Sequence, residues 1–261
     1  MSHHFLDITD LCYAYPDGTE ALRRISFRIT HGESVAIVGS NGAGKSTLLR
    51  HLNGTVIPSA GTVNIGGLSV EKKNLAEIRR RVGMVFCDPD DQLFMPTVAD
   101  DVAFGPHNLG WPREEVLEKT LAALQSVGAA YLADRHPYRL SSGEKRRAAL
   151  ATVLVMEPDI LILDEPASSL DPGSRRMLIG LLKGFTHTKL IATHDLDMAM
   201  DLCERTIVLS AGRIAADGPT SELLQDRKLL ESNGLEQPLS VQGCPICGKQ
   251  DAPPAATTKA C

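Results

Sequence analysis

Eight residues, Gly39-Ser40-Asn41-Gly42-Ala43-Gly44-Lys45-Ser46, space glycines, a lysine and a hydroxyl as G-x-x-x-x-G-K-S. That spacing suits the grip of a polyphosphate. Glycine permits turn geometry that a Cβ obstructs, so backbone N–H groups can close around phosphate oxygens. A helix opening at Gly44-Lys45 adds the partial positive charge of its N-terminus. Lys45 is long enough to reach the β- and γ-phosphates, and the Ser46 hydroxyl is a ligand for Mg2+. The plainer reading is a glycine turn before a helix. The order strand, turn, Lys-Ser, helix argues against it. A second set lies downstream, where Asp164 and Glu165 close the apolar run Ile160-Leu161-Ile162-Leu163. Asp164 can hold the Mg2+ shell opposite Ser46, and Glu165 can orient or deprotonate a water attacking the γ-phosphate. Acids at a strand end are often only solvated. Beside a complete phosphate loop they read as a hydrolytic pair.

These groups need elements to hold them. Val35-Ala36-Ile37-Val38 is a short apolar strand feeding the loop, and the helix after Lys45 runs to about Leu52, where Asn53-Gly54 stops it. Upstream, residues 5 to 15 and Ala21 to Ile29 alternate as strands around the Pro16-Asp17-Gly18 turn. Thr62 to Ile65 is a further strand, Leu75 to Arg81 a charged helix and Val82 to Phe86 a short buried strand. Between 88 and 139 the texture changes. Thr97 caps a helix with acidic first turns, and Pro112 to Val127 reads as an amphipathic helix with Val116, Leu117, Leu121 and Leu124 at helical spacing. This stretch is a helical insertion between strands. After 139 the alternation returns: helix Gly143 to Met156, the strand ending at Asp164-Glu165, helix Pro172 to Lys183, strand Lys189 to His194, helix Leu196 to Cys203, strand Thr206 to Leu209. Strands alternating with helices predict an α/β fold built on a largely parallel, helix-flanked sheet.

The 261 residues suffice for one or two compact lobes with a real core. With 43% apolar and 23% charged residues the composition is that of an ordinary globular chain. The net charge of −5 gives no basic footprint for nucleic acid, and no nucleic-acid partner is expected. No apolar run approaches the ~18 residues of a membrane span, and the first residues carry no basic-then-apolar export signal. The expectation is a cytoplasmic location with the six cysteines mostly reduced.

Leu140-Ser141-Ser142-Gly143-Glu144 opens a helix just upstream of the Asp164-Glu165 strand. It resembles the signature of ATP-binding-cassette (ABC) ATPases, leucine-serine-glycine-glycine-glutamine. Ser168-Ser169-Leu170-Asp171 resembles their D-loop, His194 their switch histidine, and Tyr15 the aromatic residue that stacks on adenine, with Tyr13 as an alternative stacker. The motifs stand in family order over about residues 5 to 235. The resemblance implies a P-loop NTPase of ABC ATPase type: a mostly parallel sheet core, an antiparallel β subdomain, and a helical subdomain at about 88–155, all within 1–240. It implies ATP bound with Mg2+ by Tyr15, residues 39–47 (Ser40, Asn41, Gly42 and Ala43 among them) and Thr47. It also implies catalytic roles for Lys45, Glu165, Asp171 and His194. In the family a head-to-tail homodimer lets Ser141, Ser142 and Gly143 close the partner's site. This sequence departs from the pattern twice. Cys87 stands where members usually carry a glutamine that touches Mg2+ and the attacking water, and a thiol is a weak hydrogen-bonding group. Ser142 replaces the first signature glycine, where its Cβ could crowd the phosphate or its hydroxyl could add a donor.

Phe86 to Phe94, Pro96 to Pro106 and Gly212 to Pro219 look like the ATPases of energy-coupling-factor importers, most closely the cobalt/nickel type. That implies two membrane partners, a transmembrane coupling protein and a substrate-capturing protein, at the cytoplasmic face of the membrane. Leu93, Phe94, Met95 and Phe104 are candidates for the partner's docking groove, with local core packing the alternative. A vitamin importer of the same architecture is the rival within transport, and a soluble non-transport ABC ATPase the rival outside it. The tail from 241 to 261 carries Cys244-Pro245-Ile246-Cys247-Gly248, half of a zinc-knuckle pattern. Cys244 and Cys247 supply two ligands where a closed site needs about four, for zinc or the transported metal; a reduced, unligated tail is the alternative.

Overall fold

The computed structural model describes residues 6–242. Two sheets share the chain. The first joins β1 (Leu6–Ala14), β2 (Glu20–Ile29), β4 (Ala60–Ile65) and β5 (Leu68–Ser69) in the order β2-β1-β4-β5, all antiparallel. The second joins β3 (Ser34–Val38), β6 (Val82–Val85), β7 (Ile160–Asp164), β8 (Thr188–Thr193), β9 (Arg205–Ser210) and β10 (Arg213–Pro219) in the order β10-β9-β3-β8-β7-β6. Every pairing in it is parallel except the β9–β10 hairpin at its edge. The helices are α1 (Lys45–Leu52), α2 (Leu75–Arg81), α3 (Val98–Asn108), α4 (Arg113–Ser126), α5 (Ser142–Leu154), α6 (Pro172–Gly184), α7 (Leu196–Leu202), α8 (Thr220–Leu223) and α9 (Arg227–Ser232).

The central strands β3, β7 and β8 are buried almost end to end, which is why they read as continuous apolar runs rather than alternating ones. Alternation decides which face each residue serves. Val35, Ile37, Ile160, Ile162 and Leu190 pack with α1 and the antiparallel sheet, whereas Ala36, Val38, Leu161, Leu163 and Ile191 pack with α3, α4 and α5. The sheet thus separates two apolar cores. The register sets Val38 beside Thr193 and Asp164 beside Ala192. The carboxyl ends of β3, β7 and β8 therefore open at one edge, where ligands of open α/β sheets bind.

The elements read from sequence recur with ends shifted by a residue or two, and two details differ. Leu117 and Leu121 of α4 face solvent, while Val116 and Leu124 enter the core. The helix is amphipathic, but its buried stripe is narrower than the leucine spacing suggests. Helix α9 and the short strand β5 were not expected, since neither carries a periodic apolar pattern long enough to read.

One ion pair ties the start of α6 to the start of α7. Arg175 of α6 donates two hydrogen bonds to the Asp195 carboxylate, at 2.6 and 2.9 Å. Asp195 also caps α7 through the Met198 N–H. Burial alone would raise the Asp195 carboxyl, but the Arg175 bonds and the Met198 N–H outweigh it and hold the carboxyl below its usual range. A depressed folded-state value stabilises the fold above the unfolded carboxyl range near pH ~4 and loses that contribution as pH falls through the folded value. Asp195→Asn keeps the cap and loses the charged pair. It is expected to lower the unfolding free energy by about 1–2 kcal/mol at pH 7. Urea titrations should find the deficit shrinking below pH ~4.

Candidate functional site

The phosphate loop fills the space between the end of β3 and the start of α1. Gly44 caps α1 in the left-handed region at φ 105°, and a Cβ there would lie 2.7 Å from the Ala21 carbonyl oxygen. A Cβ on Gly39 would meet the Leu209 carbonyl oxygen at 2.3 Å. The first glycine is needed for conformation and room, the second for room alone. The loop is tied to the sheet by the Gly212 N–H, which donates to the Ala43 carbonyl at 3.0 Å. Lys45 is buried and folds back across the loop, donating to the Gly39 carbonyl at 2.8 Å.

Three more predicted residues, Asp164, Glu165 and, through Glu165, His194, gather at this loop. The Ser46 hydroxyl donates to Asp164 Oδ1 at 3.1 Å. Lys45 Nζ lies 3.5 Å from Glu165 Oε1, and the other Glu165 oxygen lies 2.7 Å from His194 Nδ1. The His194 backbone N–H also donates to that oxygen at 3.2 Å. Glu165 itself sits at φ 46°, an uncommon conformation for a non-glycine residue, at the turn that leaves β7. Its own N–H donates to the Ala192 carbonyl at 2.8 Å. Burial pushes the Asp164 carboxyl above the ordinary carboxylate range; the Ser46 hydroxyl opposes this and the Glu165 charge adds to it. A desolvated carboxylate beside a hydroxyl offers the hard oxygen ligands that Mg2+ takes, so the residues present fit that ion.

Cys87 follows β6 and is exposed. Burial and then the Asp164 charge push its thiol up, which places the sulfur among the acids of the site as a neutral group. Gln92 does not take its place. Its amide accepts from the Phe86 N–H and donates to the Ala149 carbonyl and the Thr152 hydroxyl, all within the fold.

Tyr15, by contrast, is anchored to the site by its hydroxyl, 2.7 Å from Thr47 Oγ1.

The signature residues sit elsewhere. Ser141 caps α5 in a capping box with Glu144, and the Ser142 hydroxyl donates to the Ser169 carbonyl at 3.2 Å. The Ser142 hydroxyl is thus engaged with the D-loop of its own chain. Gly143 is buried against α6, where a Cβ would meet Ser174 Oγ at 2.5 Å. Asp171 caps α6, and hydrogen bonds from Ser174 and Gly173 hold its carboxyl below the usual range. Among the described residues no hydrogen bond joins Ser141, Ser142 or Gly143 to residues 39–47. Ser40, Asn41 and Gly42 form the outer rim of the loop. Cys244 and Cys247 lie outside the described residues, and among those described no cluster of three metal-ligating side chains occurs.

Sequence reading missed Arg146. Its guanidinium is buried and donates to the Phe86 and Cys87 carbonyls, both at 2.7 Å. The signal was present, because Arg146 shares the buried face of α5 with Gly143 and Leu150.

Comparison with known proteins agrees with this geometry. Residues 22–168 match the ABC transporter family model. An ABC transporter ATP-binding protein of Geobacter sulfurreducens is 64% identical over 249 residues, covering 95% of this chain and all of that one. The energy-coupling factor transporter ATP-binding protein EcfA of Carboxydothermus hydrogenoformans is 47% identical, covering 91% of this chain and 88% of its own. Among solved structures, CbiO1 of Clostridium perfringens, part of the ABC transporter complex CbiONQ, superposes with a TM-score of 0.77 at 38% identity, over 88% of this chain and 94% of that one. An ATP-binding cassette solved as a dimer in a post-hydrolysis state with ADP and phosphate gives 0.74 at 27% identity, over 82% of this chain and 98% of that one.

Gly44→Ala tests the loop geometry. It is expected to lower stability by about 1–3 kcal/mol and nucleotide affinity by more than ~10-fold, read by urea unfolding and by calorimetric titration with ATP.

Proposed function

This chain belongs to the ABC transporter ATP-binding family and is an ATPase of energy-coupling-factor type, and from that premise we propose that it powers import of a transition-metal ion, cobalt or nickel. The observation that carries the hydrolytic reading is the convergence of Lys45, Ser46, Asp164, Glu165 and His194 on the carboxyl edge of β3, β7 and β8.

Each residue has a task its position suits. Backbone N–H groups of residues 39–47 and the Lys45 ammonium hold the β- and γ-phosphates. Tyr15 stacks on the base. Ser46 and Asp164 hold Mg2+, which when bound would offset phosphate charge and polarise the phosphoryl group. Glu165 accepts the proton of the attacking water. Without nucleotide that carboxylate is held between Lys45 and His194. A γ-phosphate drawing Lys45 away releases one of those holds and leaves His194 to orient the base and touch the phosphate.

Among the described residues Ser141, Ser142 and Gly143 make no hydrogen bond to residues 39–47 of their own chain, and in this reading they act on the nucleotide of a second copy. Asp171 and the D-loop line the same face. The dimeric cassette solved with ADP and phosphate supports this arrangement. The partners in the membrane are a coupling protein and a substrate-capturing protein, which puts the chain at the cytoplasmic face. Phe94 and Phe104 are exposed and pack edge to face at 5.0 Å, and they suit the docking of an apolar partner segment; Leu93 is core. The metal cargo rests on the run from Phe86 to Pro106 and is supported by the likeness to CbiO1.

Two measurements follow. Glu165→Gln is expected to keep ATP binding and ATP-dependent dimerisation while turnover falls by about 10^2–10^4; brisk phosphate release would remove Glu165 from its role. Co-purification from detergent-solubilised native membranes should yield two integral membrane proteins, one retaining cobalt or nickel. A vitamin-bound partner would overturn the cargo, and soluble partners alone would overturn transport.

A further inference from the structure

Four residues form a closed circuit that includes α1 just after the phosphate loop. The Tyr15 hydroxyl lies 2.7 Å from Thr47 Oγ1. The Tyr15 ring meets the Tyr13 ring edge to face, with centroids 5.2 Å apart. Tyr13 meets the His51 imidazole in the same way at 4.8 Å. His51 Nδ1 returns to the Thr47 carbonyl oxygen at 2.7 Å. A carbonyl only accepts, so Nδ1 carries the proton. Thr47 and His51 are four apart on α1 and lie on one face of it, which closes the circuit.

His51 is an expensive way to fill that position. It is fully buried, and its Nε2 has no hydrogen-bond partner. Burial holds the imidazole below its usual range against the pull of the Thr47 carbonyl, so the ring is neutral. A leucine would fill core space without an orphaned nitrogen. What the imidazole supplies beyond volume is the Nδ1–H for Thr47 and a flat face for Tyr13.

We propose that Tyr13 and His51 are positioning residues for the nucleotide base: they fix the tilt of the Tyr15 ring against α1, so that base platform and phosphate grip keep one spacing. The proposal rests on the reading of Tyr15 as the stacking platform. The Tyr15 backbone is fixed by the bond from its N–H to the Thr19 carbonyl and its hydroxyl by Thr47, which leaves the ring free to rotate about the axis from Cβ to the hydroxyl. The edge-to-face contact with Tyr13 removes that freedom, and His51 in turn removes it from Tyr13. Because Thr47 directly follows Lys45 and Ser46, the platform is referenced to the residues that hold phosphate.

Contacts of this kind correspond to about a two- to twelvefold change in affinity. Calorimetric titration of the full chain with Mg-ATP and, separately, with Mg-tripolyphosphate distinguishes base positioning from damage to α1. Tyr13→Leu and His51→Leu are expected to weaken ATP about three- to tenfold and to leave tripolyphosphate within about twofold. Tyr13→Phe, which keeps the ring, should restore the wild-type ratio. Equal losses for both ligands would overturn the proposal, as would an unchanged ATP affinity in Tyr13→Leu. Should His51→Leu fail to fold, the Tyr13→Leu and Tyr13→Phe pair decides alone. Tyr15→Leu separates the two ideas. If it spares ATP, the platform reading itself fails; if it weakens ATP selectively while Tyr13→Leu does not, only the positioning role falls.

Discussion

A buried ammonium has to be satisfied, and much of this molecule answers to that demand. Lys45 is 7% exposed. Its charge is met by the Gly39 carbonyl at 2.8 Å, the Ser40 carbonyl at 3.4 Å and Glu165 at 3.5 Å. Those acceptors can gather only if the loop folds back over its own lysine, and the loop can do so only with the left-handed Gly44 and the crowded Gly39. The same demand reaches β7, since Glu165 must leave that strand in a strained turn to point at Lys45. The parallel register of β3, β8 and β7 brings the two loops to one edge. An isolated charge at this depth would be costly, so loop closure and sheet order depend on each other.

The second dependence runs through Arg146. Its guanidinium is buried, and among the described residues no carboxylate lies within ion-pair distance of it. Burial holds it below the usual arginine range, and the carboxylate charges of Asp88 and Asp164 oppose that shift. It is stabilised by two carbonyls of the segment leaving β6. Gln92 adds bonds from the same segment to α5. The start of the helical layer is therefore bolted to the loop carrying Cys87. These bonds tie α5 directly to the loop that lies beside Asp164 and Glu165.

Sequence legibility followed locality. The phosphate loop, the Asp164-Glu165 pair and the α1 helix were readable because each is a contiguous pattern with its own backbone chemistry. The capping box at Ser141 was part of a readable motif for the same reason. The carbonyl partners of Arg146, the Arg175–Asp195 pair and the His51–Tyr13 contact were not readable, because each contact joins residues far apart in the chain. Leu117 and Leu121 misled for a related reason. Apolar spacing indicates a helix face, but only the neighbouring elements decide how wide a face is covered. The partner that the Ser142 hydroxyl takes here, the Ser169 carbonyl, was equally out of reach because it belongs to another loop.

The departure at Cys87 becomes less puzzling in that light. A glutamine at this position would act through its side chain, and its reach would depend on where the loop stands. Here the loop stands where Arg146 puts it, held by main-chain oxygens that any residue supplies. Substituting the side chain therefore leaves the loop's position intact and changes only what is presented to the acids. A neutral thiol beside Asp164 and Glu165 adds no charge there. The geometry of the edge is fixed by backbone contacts and by buried Lys45 and Arg146. In the proposed mechanism Glu165 takes the proton and His194 orients that carboxylate, so residue 87 is left with no proton to carry.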